Sequence, residues 1–189
     1  MSSSPPTGRT GADWVLFLDR DGVVNRRVVD GYVLDWSGFE LLPGVVEAIG
    51  ILAAWAPHVV LVTNQQGVGK GLMSRESLDD VHARLRALTG EAIEDVLVCP
   101  HLASDGCECR KPGTLLARTW LAAHPEVDPA LSVMVGDSAS DMEMAARLAE
   151  VTGGCLRIGI GEVEGAEIGY PSLADLAADV DDHQGGPLR

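Results

Sequence analysis

Short apolar, β-branched runs alternate with longer amphipathic stretches along this chain, and that alternation limits its fold more than any other feature. The runs lie near Val15 to Asp19, Val59 to Thr63, Asp95 to Cys99, Ser132 to Gly136 and Cys155 to Ile160. Nearly continuous apolar runs of this length suit strands buried on both faces. Between them Pro43, a favoured first-turn residue, opens a helix through Val45, Val46, Ile49 and Leu52. Ser74 caps a second helix, with Leu78, Val81, Leu85 and Leu88 as its buried stripe. Further helices cover Leu115 to Ala123, Asp141 to Ala149 and Leu173 to Ala178. Strands and helices alternating through short connections predict an α/β fold, a doubly wound parallel sheet with helices on both faces. Such sheets bind ligands outside the carboxyl ends of their strands.

A chain of 189 residues accommodates one full domain of this type, placed at residues 13–180. Residues 1–12 and 181–189, rich in Ser, Pro, Gly and Asp, are expected to be disordered tails. Acidic residues outnumber basic ones 28 to 14, and a formal charge of −14 repels a nucleic-acid backbone. The first residues lack the apolar core of a signal peptide, and no run approaches the ~20 apolar residues of a membrane span. The expectation is a cytoplasmic monomer with neither nucleic acid nor membrane as partner.

Chemistry-bearing residues gather where the predicted strands end. The first strand runs into Asp19-Arg20-Asp21-Gly22, and side chains two apart on a strand share a face, so both carboxylates project together. The second ends in Thr63-Asn64-Gln65-Gln66-Gly67, a hydroxyl and amides suited to phosphoryl oxygens. The third leads through a cysteine-rich loop to Arg110-Lys111, and the fourth ends in Gly136-Asp137-Ser138 with Asp141 beyond. A carboxylate approaching a phosphate dianion meets like charge worth about 4 kcal/mol per unit pair at about 4 Å and an effective dielectric near 20. A divalent cation held by Asp19 and Asp137 removes that barrier, and magnesium takes such oxygen ligands. Carboxylates that merely cap a strand would explain one of these motifs, not four at matching strand ends.

Asp19-x-Asp21-Gly22, Thr63-Asn64, Lys111 and Gly136-Asp137-x-x-x-Asp141, in this order over nearly the whole chain, resemble the haloacid dehalogenase superfamily of phosphatases, whose fold is Rossmann-like. The resemblance implies that Asp19 attacks phosphorus to form an aspartyl-phosphate, and that Asp21 protonates the leaving alcohol and then activates water. It implies that Thr63 and Lys111 stabilise the transferred group, and that Asp19, the Asp21 carbonyl and Asp137 hold Mg2+. Asp141 is a further candidate ligand, or the residue that orients Lys111.

Cys99, His101, Cys107 and Cys109 supply three thiols and an imidazole in one short loop, a set that closes a tetrahedral Zn2+ site with no open position. Cys155 stands apart in an apolar run and reads as a buried small hydrophobe. The subgroup with such a loop contains heptose 1,7-bisphosphate 7-phosphatases and histidinol-phosphate phosphatases, and the chain looks like a member. Its heptose branch implies substrate contacts for Asn25, Asp30, Gly31, Tyr32, Asn64, Gln65, Gln66 and Arg110. The close spacing of His101 and Cys107 is more like the histidinol-phosphate branch. Arg26, Arg27, Lys70 and Arg110 are candidates for a second phosphate, which favours a small sugar bisphosphate as substrate.

Gly67-Val68-Gly69-Lys70-Gly71 lacks the Ser or Thr that follows Lys in a nucleotide-binding P-loop and reads as a Gly-rich loop beside the site. A zinc-stabilised binding module derived from a phosphatase is the non-enzymatic alternative, and it predicts a missing catalytic group. The span between Asp21 and Thr63 already contains a helix, which leaves no room for a large cap domain. The cleft is therefore expected to be open, covered by the segment from Asn25 to Phe39, the loop from Gly67 to Met73 and the cysteine loop.

Overall fold

The computed structural model describes residues 13–184, so the tail assigned to residues 1–12 and the last part of the C-terminal tail lie outside the described residues. Six strands form one wholly parallel sheet: β1 (Val15–Leu18), β2 (His58–Asn64), β3 (Asp95–Cys99), β4 (Val133–Gly136), β5 (Leu156–Ile160) and β6 (Ile168–Tyr170). Their order is β3-β2-β1-β4-β5-β6, with Leu16 opposite both Val59 and Val133. The winding reverses between β1 and β4, the place where an open parallel sheet leaves a crevice.

The helices are α1 (Val45–Trp55), α2 (Gln66–Gly69), α3 (Arg75–Leu88), α4 (Leu115–Ala123), α5 (Ala139–Thr152) and α6 (Leu173–Gln184). Strand alternation sorts the core into two layers. Leu16, Leu18, Val59, Leu61, Val133 and Val135 join α1, α3 and α6 on one face, while Val15, Phe17, Val60, Val62 and Met134 join α4 and α5 on the other. Each of these fully buried side chains is worth about 1.5–3 kcal/mol of apolar transfer. Among the described residues no helix is long and apolar enough to cross a membrane.

The structure shifts several expected boundaries. The first helix begins at Val45 rather than Pro43, because Gly44 takes a left-handed φ of 72° that helical geometry does not allow. Ser74 caps α3 as expected, its side chain accepting from Ser77 N, but Leu88 ends that helix and is 49% exposed instead of closing the buried stripe. α5 extends to both sides of the predicted span and stops at Gly153, whose φ is 91°. α6 continues through Gln184, so residues 181–184 are helical rather than part of a tail. β6 is the one unexpected strand, a three-residue edge pairing with β5.

Candidate active site

The crevice between β1 and β4 opens into a cleft of about 770 Å³. Its floor is Asp19, Asp21, Thr63, Lys111 and Asp137, and its walls include Arg27, Asp30, Gly31, Tyr32, Asn64, Gln65, Gln66, Lys70 and Arg110. All four predicted strand-end motifs thus meet in one place. The segment after β1 and the start of the Gly-rich loop form the walls, and among the described residues no separate domain covers the opening.

Backbone geometry makes the floor tight. Gly22 has φ of 96°, and a Cβ there would lie 1.9 Å from Asp137 Oδ2. Only glycine permits both the turn and the approach. A Cβ on Gly136 would lie 2.3 Å from the Asp141 Cβ. Replacing Gly22 with Ala is expected to cost about 1–2 kcal/mol of stability through left-handed strain and to displace Asp137. The matching result is a lowered melting temperature for the variant, and an unchanged one would contradict it.

Lys111 is 4% exposed and its Nζ lies 2.6 Å from Asp19 Oδ1 and 2.7 Å from Asp141 Oδ1. The other Asp141 oxygen accepts from Ser138 N and Oγ at 3.1 and 2.6 Å, closing the N-terminus of α5. Asp141 is therefore fixed by its own helix while it orients Lys111. Burial raises the Asp19 pKa to about 7, with Lys111 opposing and Asp141 and Asp21 adding to the rise. Asp137 is also pushed up, by burial and by Asp141, against Arg27 at 3.4 Å and Lys111.

Asp19, Asp137 and Asp141 each bring a carboxylate oxygen within 4.8 Å of the others, a group able to hold a metal ion. Asp137 Oδ1 is buried with no protein donor. Raised carboxyl pKa values and a donorless buried oxygen together fit a hard divalent cation with oxygen ligands.

Asp21 is held by three side chains. Arg20 Nη2 donates to both of its oxygens at 2.9 Å, Asn25 Nδ2 donates to Oδ1 at 2.9 Å, and Gln65 Nε2 donates to Oδ2 at 2.8 Å. Burial pushes this carboxyl up, but Arg20 and the hydrogen bonds outweigh it and leave the net pKa below the ordinary value. Gln65 Nε2 also donates to Thr63 Oγ1 at 2.8 Å, which leaves the Thr63 hydroxyl proton free for a ligand.

Several predicted substrate contacts have protein partners in the structure. Asn25 is 0% exposed and faces Asp21, not the cleft, because the turn after β1 folds it inward. Asn64 Oδ1 accepts from Lys111 N and its Nδ2 donates to Lys111 O, so it staples β2 to the lysine loop while still lining the cleft. Gln66 and Lys70 both donate to Tyr32 Oη, at 2.9 and 2.8 Å, and tie the Gly-rich loop to the segment after β1. Arg26 is not at the cleft: it pairs with Glu40 at 2.9 Å on the exposed side. Arg20 and His82, buried beneath Asp21, went unmarked by sequence because the contact that joins them spans 62 positions of the chain.

The cysteine loop brings Cys99, His101, Cys107 and Cys109 together as a second possible metal group. Its sulfur atoms are 3.3–3.6 Å apart and His101 Nδ1 is 3.0 Å from Cys109 Sγ. Ligands about 2.3 Å from a tetrahedral ion sit about 3.8 Å apart, close to this arrangement. Cys155 lies with Val60 and Val62 in the core, as expected.

No family model matches the chain. It is 47% identical over 178 residues to the D-glycero-alpha-D-manno-heptose-1,7-bisphosphate 7-phosphatase of Mycobacterium tuberculosis, a match spanning 91% of this chain and 94% of that protein. It is 37% identical to the D-glycero-beta-D-manno-heptose-1,7-bisphosphate 7-phosphatase of Pseudomonas putida over 69% of this chain and 75% of that one. The bifunctional histidine biosynthesis protein HisB of Baumannia cicadellinicola matches at 35%, but this chain aligns with only 38% of it. Among solved structures, the D,D-heptose 1,7-bisphosphate phosphatase of B. bronchiseptica, complexed with magnesium and phosphate, superposes with a TM-score of 0.77 at 30% identity, over 89% of this chain and 98% of that one. Motifs, fold and relatives agree: the chain belongs to the D-glycero-manno-heptose-1,7-bisphosphate 7-phosphatase family of haloacid dehalogenase-like phosphatases.

Proposed function

We propose that this protein removes the C7 phosphate of D-glycero-D-manno-heptose 1,7-bisphosphate, with Mg2+ at Asp19, Asp137 and the Asp21 carbonyl, and with Zn2+ at Cys99, His101, Cys107 and Cys109. The observation that carries the reading is the meeting of Asp19, Asp21, Thr63, Lys111 and Asp137 on one cleft floor beneath cationic walls. The alpha anomer is favoured because the 47% identical relative carries that name. Magnesium, when bound, offsets the like charge between the carboxylates and the phosphate dianion.

The residues then divide the work. Asp19 attacks phosphorus, its oxygen–phosphorus bond forming as the bond to the C7 oxygen breaks, and that oxygen takes a proton from Asp21. Arg20, Asn25 and Gln65 favour the Asp21 carboxylate, the form that activates water in the second half of the reaction. The ionised Asp21 next takes a proton from water as the water oxygen bonds to phosphorus and Asp19 is released. Lys111 and Thr63 hold the phosphoryl oxygens throughout, and Asp141 holds Lys111. Arg27, Lys70 and Arg110 line the cleft where the second phosphate of the sugar would lie, with Arg110 Nη1 buried and without a protein acceptor.

Side-by-side kinetics on the alpha and beta heptose 1,7-bisphosphates, fructose 1,6-bisphosphate and histidinol phosphate test this assignment. The alpha heptose ester is expected to give the highest kcat/KM, by about tenfold (about 1.4 kcal/mol of transition-state binding) or more. A preference for histidinol phosphate would overturn it.

A further inference from the structure

We propose that Arg20, held by His82 and Phe39, is the positioning residue that aims Asp21 at the leaving oxygen and then at the attacking water. This rests on the reading of Asp21 as the acid and base of the reaction. Arg20 sits between the two carboxylates of the first motif, where strand alternation alone would turn it away from both. Instead it is 1% exposed and reaches back beneath Asp21. Its Nη2 bridges both oxygens of Asp21, and its Nη1 lies 3.1 Å from His82 Nε2.

A guanidinium has donors and no acceptor, so His82 Nε2 must receive the hydrogen bond and the imidazole proton sits on Nδ1. Burial, reinforced by the Arg20 charge, lowers the His82 pKa to about 3, which keeps the ring neutral and the acceptor available. The Phe39 ring flanks the guanidinium, its centroid 5.6 Å from Cζ, and stacks in turn on Trp36 at 5.2 Å. The Arg20 backbone is pinned as well, its carbonyl accepting from Val24 N and Asn25 N. His82 comes from the middle of α3, far along the chain, so helix and active-site turn are locked through this one side chain.

A buried cation is retained where its partners are fixed. Asn25 on Oδ1 and Gln65 on Oδ2 set the plane of the carboxylate, whereas Arg20 Nη2, 2.9 Å from both oxygens, anchors its head and so fixes how far it reaches. Removing the His82 acceptor frees Nη1 and slackens that anchor without touching any group that meets substrate.

The experiment compares a poor leaving group with a good one. In His82→Leu, kcat/KM for the heptose bisphosphate should fall about 100-fold, the scale of general acid catalysis. For p-nitrophenyl phosphate it should stay within about threefold, because that leaving group departs without a proton. The same variant should show a burst of p-nitrophenolate as the phosphoenzyme waits for a poorly aimed base. His82→Gln, which restores an acceptor, should recover the sugar activity to within about fivefold of the native enzyme. If His82→Leu does not fold, Arg20→Lys serves, since it keeps the charge but cannot span Asp21 and His82, and the same split between substrates is expected. Equal losses on both substrates, or no loss on the sugar, would overturn the proposal. Asp21→Asn separates the two levels of the argument. If it leaves sugar turnover intact, the role of Asp21 itself fails; if it abolishes sugar turnover while His82→Leu does not, only the positioning role fails.

Discussion

Asn in place of Asp19 should abolish phosphatase turnover, by about 10⁴-fold or more, while the protein remains folded and, without added metal, melts no lower than the native chain. The loss follows from removing the carboxylate proposed as the nucleophile. The retained stability follows from electrostatics. Asp19 has a folded pKa of about 7, above the ordinary value of 3.8. Its ionised form is thus disfavoured by folding: its contribution is fully favourable at pH below about 4 and is lost as pH rises through 7. At pH 8 a neutral Asn removes that burden, keeps an acceptor for Arg20 N, and leaves Lys111 paired with Asp141. Calorimetry with activity assays checks both halves. Measurable residual turnover by the purified variant, or a clear fall in melting temperature, would count against this account of the floor.

The second large effect is expected at the cysteine loop. Native protein should carry about one zinc per chain by elemental analysis, and Cys107→Ala should lose it together with about 10 °C of melting temperature. The loop has few apolar contacts to order it: His101, Ala103, Asp105 and Glu108 are all exposed. It nonetheless carries Arg110 and Lys111 into the cleft and docks against the Gly-rich loop, through Gly69 N to Pro100 O and Ala103 N to Gln66 Oε1. Activity should therefore fall with the metal even though no cysteine lines the cleft. Native protein isolated without zinc and with an unchanged melting temperature on treatment with chelator would contradict this.

Much of this was readable in the order of residues, for identifiable reasons. Strands buried on both faces write themselves as apolar runs, and residues at their ends project toward a shared rim, so Asp19, Thr63, Lys111 and Asp137 could be placed before any fold was seen. β6 escaped because Ile168, Gly169 and Tyr170 form an edge too short to show a period. Asn25 suggested a substrate contact, yet the turn that makes Gly22 indispensable also swings Asn25 inward against Asp21. Arg20 passed as a spacer between two acids, since only α3, folded across from β1, supplies the histidine that gives it a place. Arg26 and Arg27 are neighbours of equal charge, and nothing local distinguishes the one that reaches Asp137 from the one that pairs with Glu40. Tertiary partners, not composition, decide such cases.

The carboxylates of the floor are rooted at strand ends and in α5, whose Asp141 holds Lys111, whereas Tyr32, Gln66 and Lys70 tie together two loops that hang above them. Altering those loops leaves the machinery beneath in place. Descendants of such an enzyme can change which sugar they welcome by redrawing a few exposed residues, and keep the same bond-breaking apparatus while diversifying.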